Sequence, residues 1–472
     1  MAIKLYQRVA AEFTKLISVG SLRAGDRLPS IRELAQSRSL SPTTVLHSYE
    51  ILVANGWIEA RPRSGYYVAR RRKPSAILHD AKSPESGSDG ATRVEVSDLV
   101  FTILEASRSR DVIPLGSAFP SPVQFPWSRL ARFLGSSARH IDPWSTVASL
   151  PPGSLDLRRQ IARRYLRRGT TVDVEEIVVT AGALEALSLS LQSVARAGDT
   201  IAIESPAFYG CLQAVERLRL NVVEIPTDPF TGIDLEALAK ALTTRPIKAC
   251  WLMTTLHHPT GATAAPEKKR EIVRLLAAHD VPLIEDDAYG DLQFTPTIAS
   301  KAFDKKGLVL HCGSFSKCLA PGYRLGWVAA GRYTQEVARR KIEASLATSL
   351  PIQQCIAQML QRGGYESHLA GLRRGLAQQQ AAAMDAIQRY FPAGMRVSRP
   401  AGGYFLWIEC PAAVDSLELH RMALESGISI APGPMFSARR QFWNCLRLNY
   451  GHPWTAVMDR AIRRLGEILK RF

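Results

Sequence analysis

The sequence predicts a multidomain protein: a small N-terminal unit of three helices and a β-hairpin, then a large α/β domain ending in a smaller α+β subdomain. A chain of 472 residues is too long for one hydrophobic core. Residues 83–90 are polar and rich in Ser and Gly, which is typical of a linker. Beyond them, apolar runs alternate with helical patterns, which favours a mostly parallel sheet. We therefore expect domains at 1–68 and 98–472, a flexible linker at 69–97, and a subdomain from about residue 350.

The composition is that of an ordinary globular protein, with 46% hydrophobic and 22% charged residues. The formal net charge of +17 indicates an anionic partner, and nucleic acid is the commonest one. Residues 1–73 alone hold thirteen basic and five acidic side chains. On charge alone, a merely solvated basic surface is equally consistent.

Cysteine and apolar patterns exclude several classes of protein. The seven cysteines are scattered, without a Cys-x-x-Cys pair or a neighbouring His cluster, so we expect no metal site and no disulfide framework. No run of about 18 apolar residues predicts a membrane span, and no signal-peptide pattern opens the chain. We expect a cytoplasmic location.

The first two helices of the N-terminal unit are indicated by spacing and capping. Leu5, Val9 and Phe13 recur on one helical face. Ser30 and Glu33 form a Ser-x-x-Glu capping box that opens the second helix.

The third helix has a strong start signal, because Ser41 supplies a hydroxyl cap and Pro42 suits the first turn. Val45, Tyr49 and Leu52 form its buried stripe.

Two short strands, 57–60 and 65–68, follow that helix, so the unit has winged helix-turn-helix architecture. In this architecture the third helix enters a major groove of double-stranded DNA by its N-terminal end. Thr43, Thr44 and His47 could then reach bases or phosphates. Arg61 and Arg63 of the hairpin could contact the DNA backbone or enter a minor groove.

The string LPSIRELAQSRSLSPTTVLHSYEILVANGWIEARPRSGYYV, residues 28–68, resembles the GntR family of bacterial repressors. The resemblance implies a set of DNA-contacting positions in the second helix, the third helix and the wing. They are Arg32, Ser41, Pro42, Thr43, Thr44, Arg63, Ser64 and Gly65.

The large domain carries a lysine–arginine motif, Gly-Ser-Phe-Ser-Lys at 313–317 followed by Gly-Tyr-Arg-Leu-Gly-Trp at 322–327. Lys317 after a strand suits a Schiff base with an aldehyde cofactor, because burial readily tunes a lysine amine. Arg324, flanked by glycines, suits a phosphate clamp.

Three further strings fit the same chemistry. Asp286, at the end of strand 283–286, can pair with a pyridinium nitrogen, and Tyr289 can donate to the ring oxygen. Residues 180–184 join a strand to a helix whose first amides can hold a phosphate. Phe208 could stack on the ring, although a lone phenylalanine of this kind is more often an ordinary core residue.

Together these strings resemble the fold-type I aminotransferases, which depend on pyridoxal 5′-phosphate (PLP), over roughly residues 110–472. The resemblance implies that Lys317 is the Schiff-base lysine and Arg447 the binder of a substrate carboxylate. The other cofactor contacts that it implies are Ala183, Leu184, Phe208, His258, Asp286, Tyr289, Ser314 and Arg324.

The sequence departs from the family pattern at three places. His258 stands where the family usually has Asn before Pro-Thr-Gly. It can still hydrogen-bond the ring oxygen, although its larger size could shift the cofactor. Residues 148–153 lack the Tyr that often contacts the partner subunit's phosphate. Ala183 and Leu184 offer only backbone amides. We expect cofactor binding to survive these changes and efficient turnover to be in question.

A GntR module followed by an aminotransferase-like domain resembles the MocR subfamily. The resemblance implies a head-to-tail, domain-swapped homodimer that binds a DNA operator and senses an amino acid or amine through aldimine exchange at Lys317. Two alternatives stay open: an aminotransferase that carries a DNA-binding module, and a sensor of PLP itself.

Overall fold

A computed structural model describes residues 5–18, 21–61, 64–69, 92–106, 111–145 and 150–472. The chain divides into two compact units, Met1–Ile77 and Leu78–Phe472. Arg63 and residues 70–91, most of the predicted linker, lie outside the described residues.

The smaller unit has the predicted order of three helices and a hairpin. Its elements are α1 (Leu5–Ser18), α2 (Ile31–Ser37), α3 (Pro42–Ala54), β1 (Ile58–Arg61) and β2 (Gly65–Val68). β1 and β2 are antiparallel, with Ile58 opposite Val68 and Arg61 opposite Gly65.

Both predicted helix caps form. Ser30 Oγ accepts the Glu33 amide at 3.2 Å, and the Glu33 carboxylate accepts the Ser30 amide at 2.7 Å. Ser41 Oγ accepts the Thr44 amide at 3.1 Å, which satisfies one of the free N–H groups of the first turn of α3. Tyr49 is fully buried in the core and donates to the Pro29 carbonyl at 2.8 Å. On the apolar face of α1, Val9 and Phe13 are buried, whereas Leu5, at the start of the helix, is half exposed.

The larger unit alternates helices and strands. Its first part comprises β3 (Thr92–Arg93), α4 (Ser97–Ala106), α5 (Trp127–Arg139), α6 (Leu155–Arg167), β4 (Ile177–Thr180), α7 (Ala183–Val194), β5 (Thr200–Ser205), α8 (Tyr209–Arg217), β6 (Asn221–Asp228), β7 (Gly232–Ile233), α9 (Leu235–Thr244), β8 (Ile247–Leu252), α10 (Pro266–Ala278), β9 (Leu283–Asp286), β10 (Val309–Ser314), β11 (Gly326–Ala329) and α11 (Thr334–Ser345).

The main sheet has the order β3-β6-β5-β8-β9-β10-β11-β4, and β7 pairs with β6. The run from β6 to β10 is parallel, whereas β11 is antiparallel to both β10 and β4. Because Asp286 pairs with Cys312 on β10, and Thr180 pairs with Gly326, the strand ends that carry the predicted motifs meet at one edge. The predicted fold class is confirmed. β3 lies within the segment predicted as linker.

The last part forms a separate four-stranded antiparallel sheet, in the order β12-β13-β15-β14, with helices around it. Its elements are α12 (Leu350–Gln361), α13 (Tyr365–Tyr390), β12 (Arg396–Val397), β13 (Phe405–Glu409), α14 (Ser416–Glu425), β14 (Ala431–Pro432), β15 (Cys445–Asn449) and α15 (Ala456–Leu469). Arg447 lies in the middle of β15, opposite Trp407. Within the described ranges, no helix combines the length and apolarity needed to cross a membrane.

Candidate functional site

Lys317 follows β10 and turns its amine into an aromatic pocket. Its Nζ donates to the Ala118 carbonyl at 2.8 Å and lies 3.8 Å from the centre of the Phe119 ring. Burial, together with the positive charges of Arg447 and Arg324, lowers the pKa of Lys317 to about 7. A substantial fraction of this amine is therefore neutral near pH 7, which is the form that attacks an aldehyde.

Asp286 ends β9 and is almost completely buried. Its Oδ1 accepts the Ala288 amide at 3.2 Å. Burial, reinforced by the neighbouring Asp287 carboxylate, raises the pKa of Asp286 to about 7. A cationic ring N–H placed against this carboxylate would compensate its charge, so the site fits a protonated pyridine.

The start of α7 and Arg324 form a cradle for an anion. Gly182 has φ +93°, and a Cβ at this position would lie 2.7 Å from Arg324 Nη2, so the guanidinium reaches the first turn of the helix. The amides of Ala183 and Leu184 begin that turn. A guanidinium beside free helix amides fits a phosphate group.

The two serines of the lysine motif differ in their contacts. Ser314 Oγ donates to the Leu325 carbonyl at 3.2 Å and accepts the Ser316 amide at 3.0 Å, so backbone groups engage it. Ser316 Oγ instead accepts Arg324 Nη1 at 3.2 Å. Ser314 stays a prediction as a phosphate contact, and Ser316, which the sequence prediction did not name, is a further candidate because it contacts Arg324.

His258 links the predicted ring site to Arg447. Its Nε2 lies 2.5 Å from Arg447 Nη1, and its ring stacks on Phe405 with centroids 4.6 Å apart. Burial and the charge of Arg447 lower the pKa of His258, so the ring is neutral and can accept from the guanidinium. The centroid of the His258 ring lies 5.0 Å from that of Phe208 and 6.0 Å from that of Tyr289, which follows β9.

Arg447 is only 1% exposed, yet backbone carbonyls and a neutral imidazole hold its guanidinium. Nη2 donates to the carbonyls of Gly116 and Ser117, and Nε has no hydrogen-bond partner among the described residues. Burial lowers the pKa of Arg447. A carboxylate entering here would supply the missing negative charge. The amine, the carboxyl group and the phosphate cradle thus fit PLP, and Arg447 fits an acidic ligand.

In the smaller unit, the predicted DNA-contacting residues from Ser41 to His47 lie at the start of α3, and Arg32 lies in the first turn of α2. Arg32, Ser41, Pro42, Thr43 and His47 are exposed. The Thr44 hydroxyl is 2.8 Å from Ser41 Oγ and so completes the cap. Thr43 and His47 are therefore better placed than Thr44 to reach a nucleic acid.

The hairpin carries the remaining predicted contacts. Arg61 pairs with Glu59 at 2.6 Å and lies 4.3 Å above the Tyr67 ring. Ser64 Oγ is 2.7 Å from the Tyr67 hydroxyl, and Gly65 is exposed with φ +109°. Sequence reasoning missed the exposed Arg27, whose Nε would lie 3.5 Å from a Cβ at Gly65, because no local pattern links residues so far apart.

The described residues hold no group of three or more His, Cys, Asp or Glu side chains arranged for a metal ion. All seven cysteines are buried free thiols.

Comparisons with known proteins agree with this geometry. Residues 145–465 match the family of aminotransferases of class I and II, and residues 5–68 match the gntR family of bacterial regulatory proteins. The chain is 44% identical to the HTH-type transcriptional regulator YdcR of Escherichia coli, over 99% of both chains. It is 34% identical to the regulator YjiR of the same organism, again over 99% of both.

Solved structures resemble the larger unit. The multiple substrate aminotransferase of Thermococcus profundus is 27% identical, with a TM-score of 0.72, over 80% of this chain and 95% of that one. The kynurenine aminotransferase of Pyrococcus horikoshii, solved with PMP, is 26% identical, with a TM-score of 0.73, over 80% and 95%. Such enzymes depend on PLP, so the predicted cofactor is confirmed. The chain belongs to the MocR subfamily, in which a gntR-type DNA-binding domain is fused to a class I and II aminotransferase domain.

Proposed function

We propose that this regulator senses an amino acid or another amine that displaces Lys317 from PLP, and that the exchange changes how it binds its operator. The observation that carries the proposal is the pairing of a near-neutral lysine amine with a buried, uncompensated Arg447 in a chain that also has a DNA-binding unit. When bound, PLP supplies an aldehyde that combines with amines and a ring that withdraws electrons.

Each residue then has a defined task. The neutral amine of Lys317 holds the aldehyde until another amine replaces it, and Asp286 keeps a proton on the ring nitrogen. Arg324, Ser316 and the first amides of α7 hold the phosphate. Phe208 packs against the ring, and Tyr289 donates to the ring oxygen, as in aminotransferases.

One short segment connects the two ends of the pocket. The carbonyls of Gly116 and Ser117 accept from Arg447, and the carbonyl of Ala118 accepts from Lys317. A ligand whose carboxylate binds Arg447 and whose amine displaces Lys317 would break the hydrogen bonds that both side chains make to residues 116–118. The ligand therefore binds two arrangements of the pocket with different affinity, which is what a change of state requires.

On the DNA side, Arg32, Thr43, His47 and Arg61 are proposed to contact the operator, together with Arg63. We further propose a head-to-tail homodimer whose two DNA-binding units read two half-sites, acting in the cytoplasm.

The proposal is tested by DNA-binding titrations with the PLP-loaded protein and labelled promoter DNA, at fixed salt, while amino acids and amines are varied. We expect one ligand to change the Kd for DNA in the wild type and in Lys248→Ala, an exposed lysine that serves as control. Lys317→Ala should bind DNA but lose the response. An equal response in Lys317→Ala would overturn the exchange mechanism.

An aminotransferase activity is the second candidate. It is favoured by the pKa of Lys317, about 7, because such an amine can both take up and release a proton near neutral pH. Incubation with amino acids and 2-oxoglutarate decides between the two, since an enzyme forms many product molecules per chain. Comparing DNA affinity with and without PLP, in the absence of amines, tests direct sensing of the cofactor.

A further inference from the structure

A basic pocket of about 300 Å³ opens on the larger unit, beside α6 and α13. Four arginines line it, together with a short loop and one acid. The lining residues are Arg164, Arg167, Arg168, Pro296, Thr297, Ile298, Glu366 and Arg373.

Asp291 lies beneath this pocket and is shared by several donors. Its Oδ1 accepts Arg164 Nη2 at 2.5 Å and also accepts Arg168. Its Oδ2 accepts the Tyr365 hydroxyl at 2.6 Å, while Arg373 Nε donates to the Asp291 carbonyl at 2.8 Å. One carboxylate therefore faces two guanidinium groups, with a third bound only to a neutral oxygen, so positive charge remains in excess.

Arg164 has a donor left over. Its side chain is 8% exposed, and its Nη1 is buried without a hydrogen-bond partner among the described residues. Arg164, Arg168 and Thr297 line both the pocket and a small inner cavity of about 30 Å³ behind it. A buried guanidinium N–H that lacks an acceptor, next to space that a ligand can enter, is the arrangement expected of an anion site.

The one exposed acid at the pocket does not remove this excess. Glu366 is 4.0 Å from Arg167, and both side chains are more than half exposed, so the pair is weak and an anion can compete with it. The pocket is also distinct from the cofactor cradle, since neither Arg324 nor the first residues of α7 line it.

We propose that this pocket binds a small phosphate-bearing anion, either inorganic phosphate or a phosphomonoester, in addition to the phosphate of the cofactor. Three acceptor oxygens on a dianion suit several guanidinium groups better than a single carboxylate does. The ligand would accept from the Nη1 of Arg164, which lacks a partner in the described part of the chain, and from the other arginines that line the pocket, Arg167, Arg168 and Arg373. It would supply the charge that Asp291 alone cannot.

The test uses the full-length, PLP-loaded protein, so that the cofactor already fills its own cradle. Inorganic phosphate and glycerol phosphate are titrated in parallel at constant ionic strength, and binding is followed by calorimetry. We expect the double variant Arg167→Gln, Arg373→Gln to bind about tenfold more weakly, as loss of charged hydrogen bonds implies. Whichever of the two ligands loses affinity in this variant identifies the source of the phosphate group.

Two matched variants guard against simple damage to the fold. Arg163→Gln removes an exposed arginine of the same helix that does not line the pocket and should leave the affinity unchanged. Glu366→Gln removes the competing carboxylate and should strengthen binding about threefold. The proposal is overturned if neither ligand binds the wild type, or if all variants bind alike while retaining the cofactor's absorbance.

Discussion

The two units of this chain keep their functional charges in opposite places. In the smaller unit, Arg32 and Arg61 stand on the surface around an apolar core. In the larger unit, Asp286 and Arg447 are almost completely buried, and the amine of Lys317 is only partly accessible.

The difference reflects what each site binds. A surface arginine stays hydrated until a DNA phosphate replaces its water, so it costs the folded state little. A buried ion has lost its hydration, and this cost stays uncompensated until a ligand of opposite charge binds. The exposed charges of the smaller unit can therefore attract a polyanion at little cost. The buried charges of the larger unit instead favour a ligand that compensates them.

The largest effect is expected from the core of the smaller unit. Tyr49→Ala removes a fully buried ring and should lower the free energy of unfolding of that unit by about 3–5 kcal/mol. Tyr49→Phe loses only the hydrogen bond to Pro29 and should cost about 1 kcal/mol. Thermal unfolding followed by circular dichroism checks both. Both variants should still bind PLP, and loss of PLP binding in either one would show that the larger unit depends on the core of the smaller unit.

The next effect concerns the buried carboxyl. Asp286→Asn removes the proposed partner of the ring nitrogen and should weaken PLP binding by about 1.5–3 kcal/mol, the usual contribution of a hydrogen bond to a charged group. Equilibrium titration with PLP measures it, and the exposed Asp98→Asn is the control.

The same variant gives a pH signature without cofactor. Asp286 takes up its proton at about pH 7 in the folded state, against 3.8 ordinarily, so the folded chain binds more protons between these values. This group therefore makes unfolding easier as pH rises from 3.8 to about 7. In denaturant titrations, the free energy of unfolding should fall less over this pH range in Asp286→Asn than in the wild type. An equal fall in the two proteins would contradict the raised pKa of Asp286.

The lysine provides a test of its own. The rate at which PLP attaches to the cofactor-free protein should rise with pH around a midpoint near 7, instead of the 10.5 of an ordinary lysine. Arg447→Gln removes a nearby positive charge and should move that midpoint upward. Stopped-flow absorbance measures the midpoint in both proteins. An unchanged midpoint in Arg447→Gln would contradict the influence of the Arg447 charge on the pKa of Lys317.

The smallest effect returns to the smaller unit. Ser41→Ala removes the cap of α3 and should lower stability by about 1 kcal/mol. Thr43→Ala, exposed and outside the cap, should leave stability unchanged and weaken DNA binding. Equal losses of stability in the two variants would refute this division of roles.

Local signals predicted most of the fold. The Ser30–Glu33 box, the Ser41 cap and the strand at 283–286 all lie where the pattern placed them, because caps and apolar runs depend on near neighbours. The motif around Lys317 was likewise predicted to follow a strand, and the parallel pairing of β9 and β10 brings that motif close to Asp286.

Contacts between distant segments could not be predicted. The amine of Lys317 meets the carbonyl of Ala118, 199 positions away, and no local pattern marks that pair. The contact of Ser316 with Arg324 could not be predicted either, since Arg324 has a left-handed backbone, at φ +47°, that no local pattern marks.

Gly182 has an evolutionary implication. A single methyl group there would press on the guanidinium of Arg324 and oppose the local backbone at the same time. A single codon change at this position is therefore expected to weaken the phosphate cradle of the cofactor while leaving the DNA-binding residues of the smaller unit unchanged.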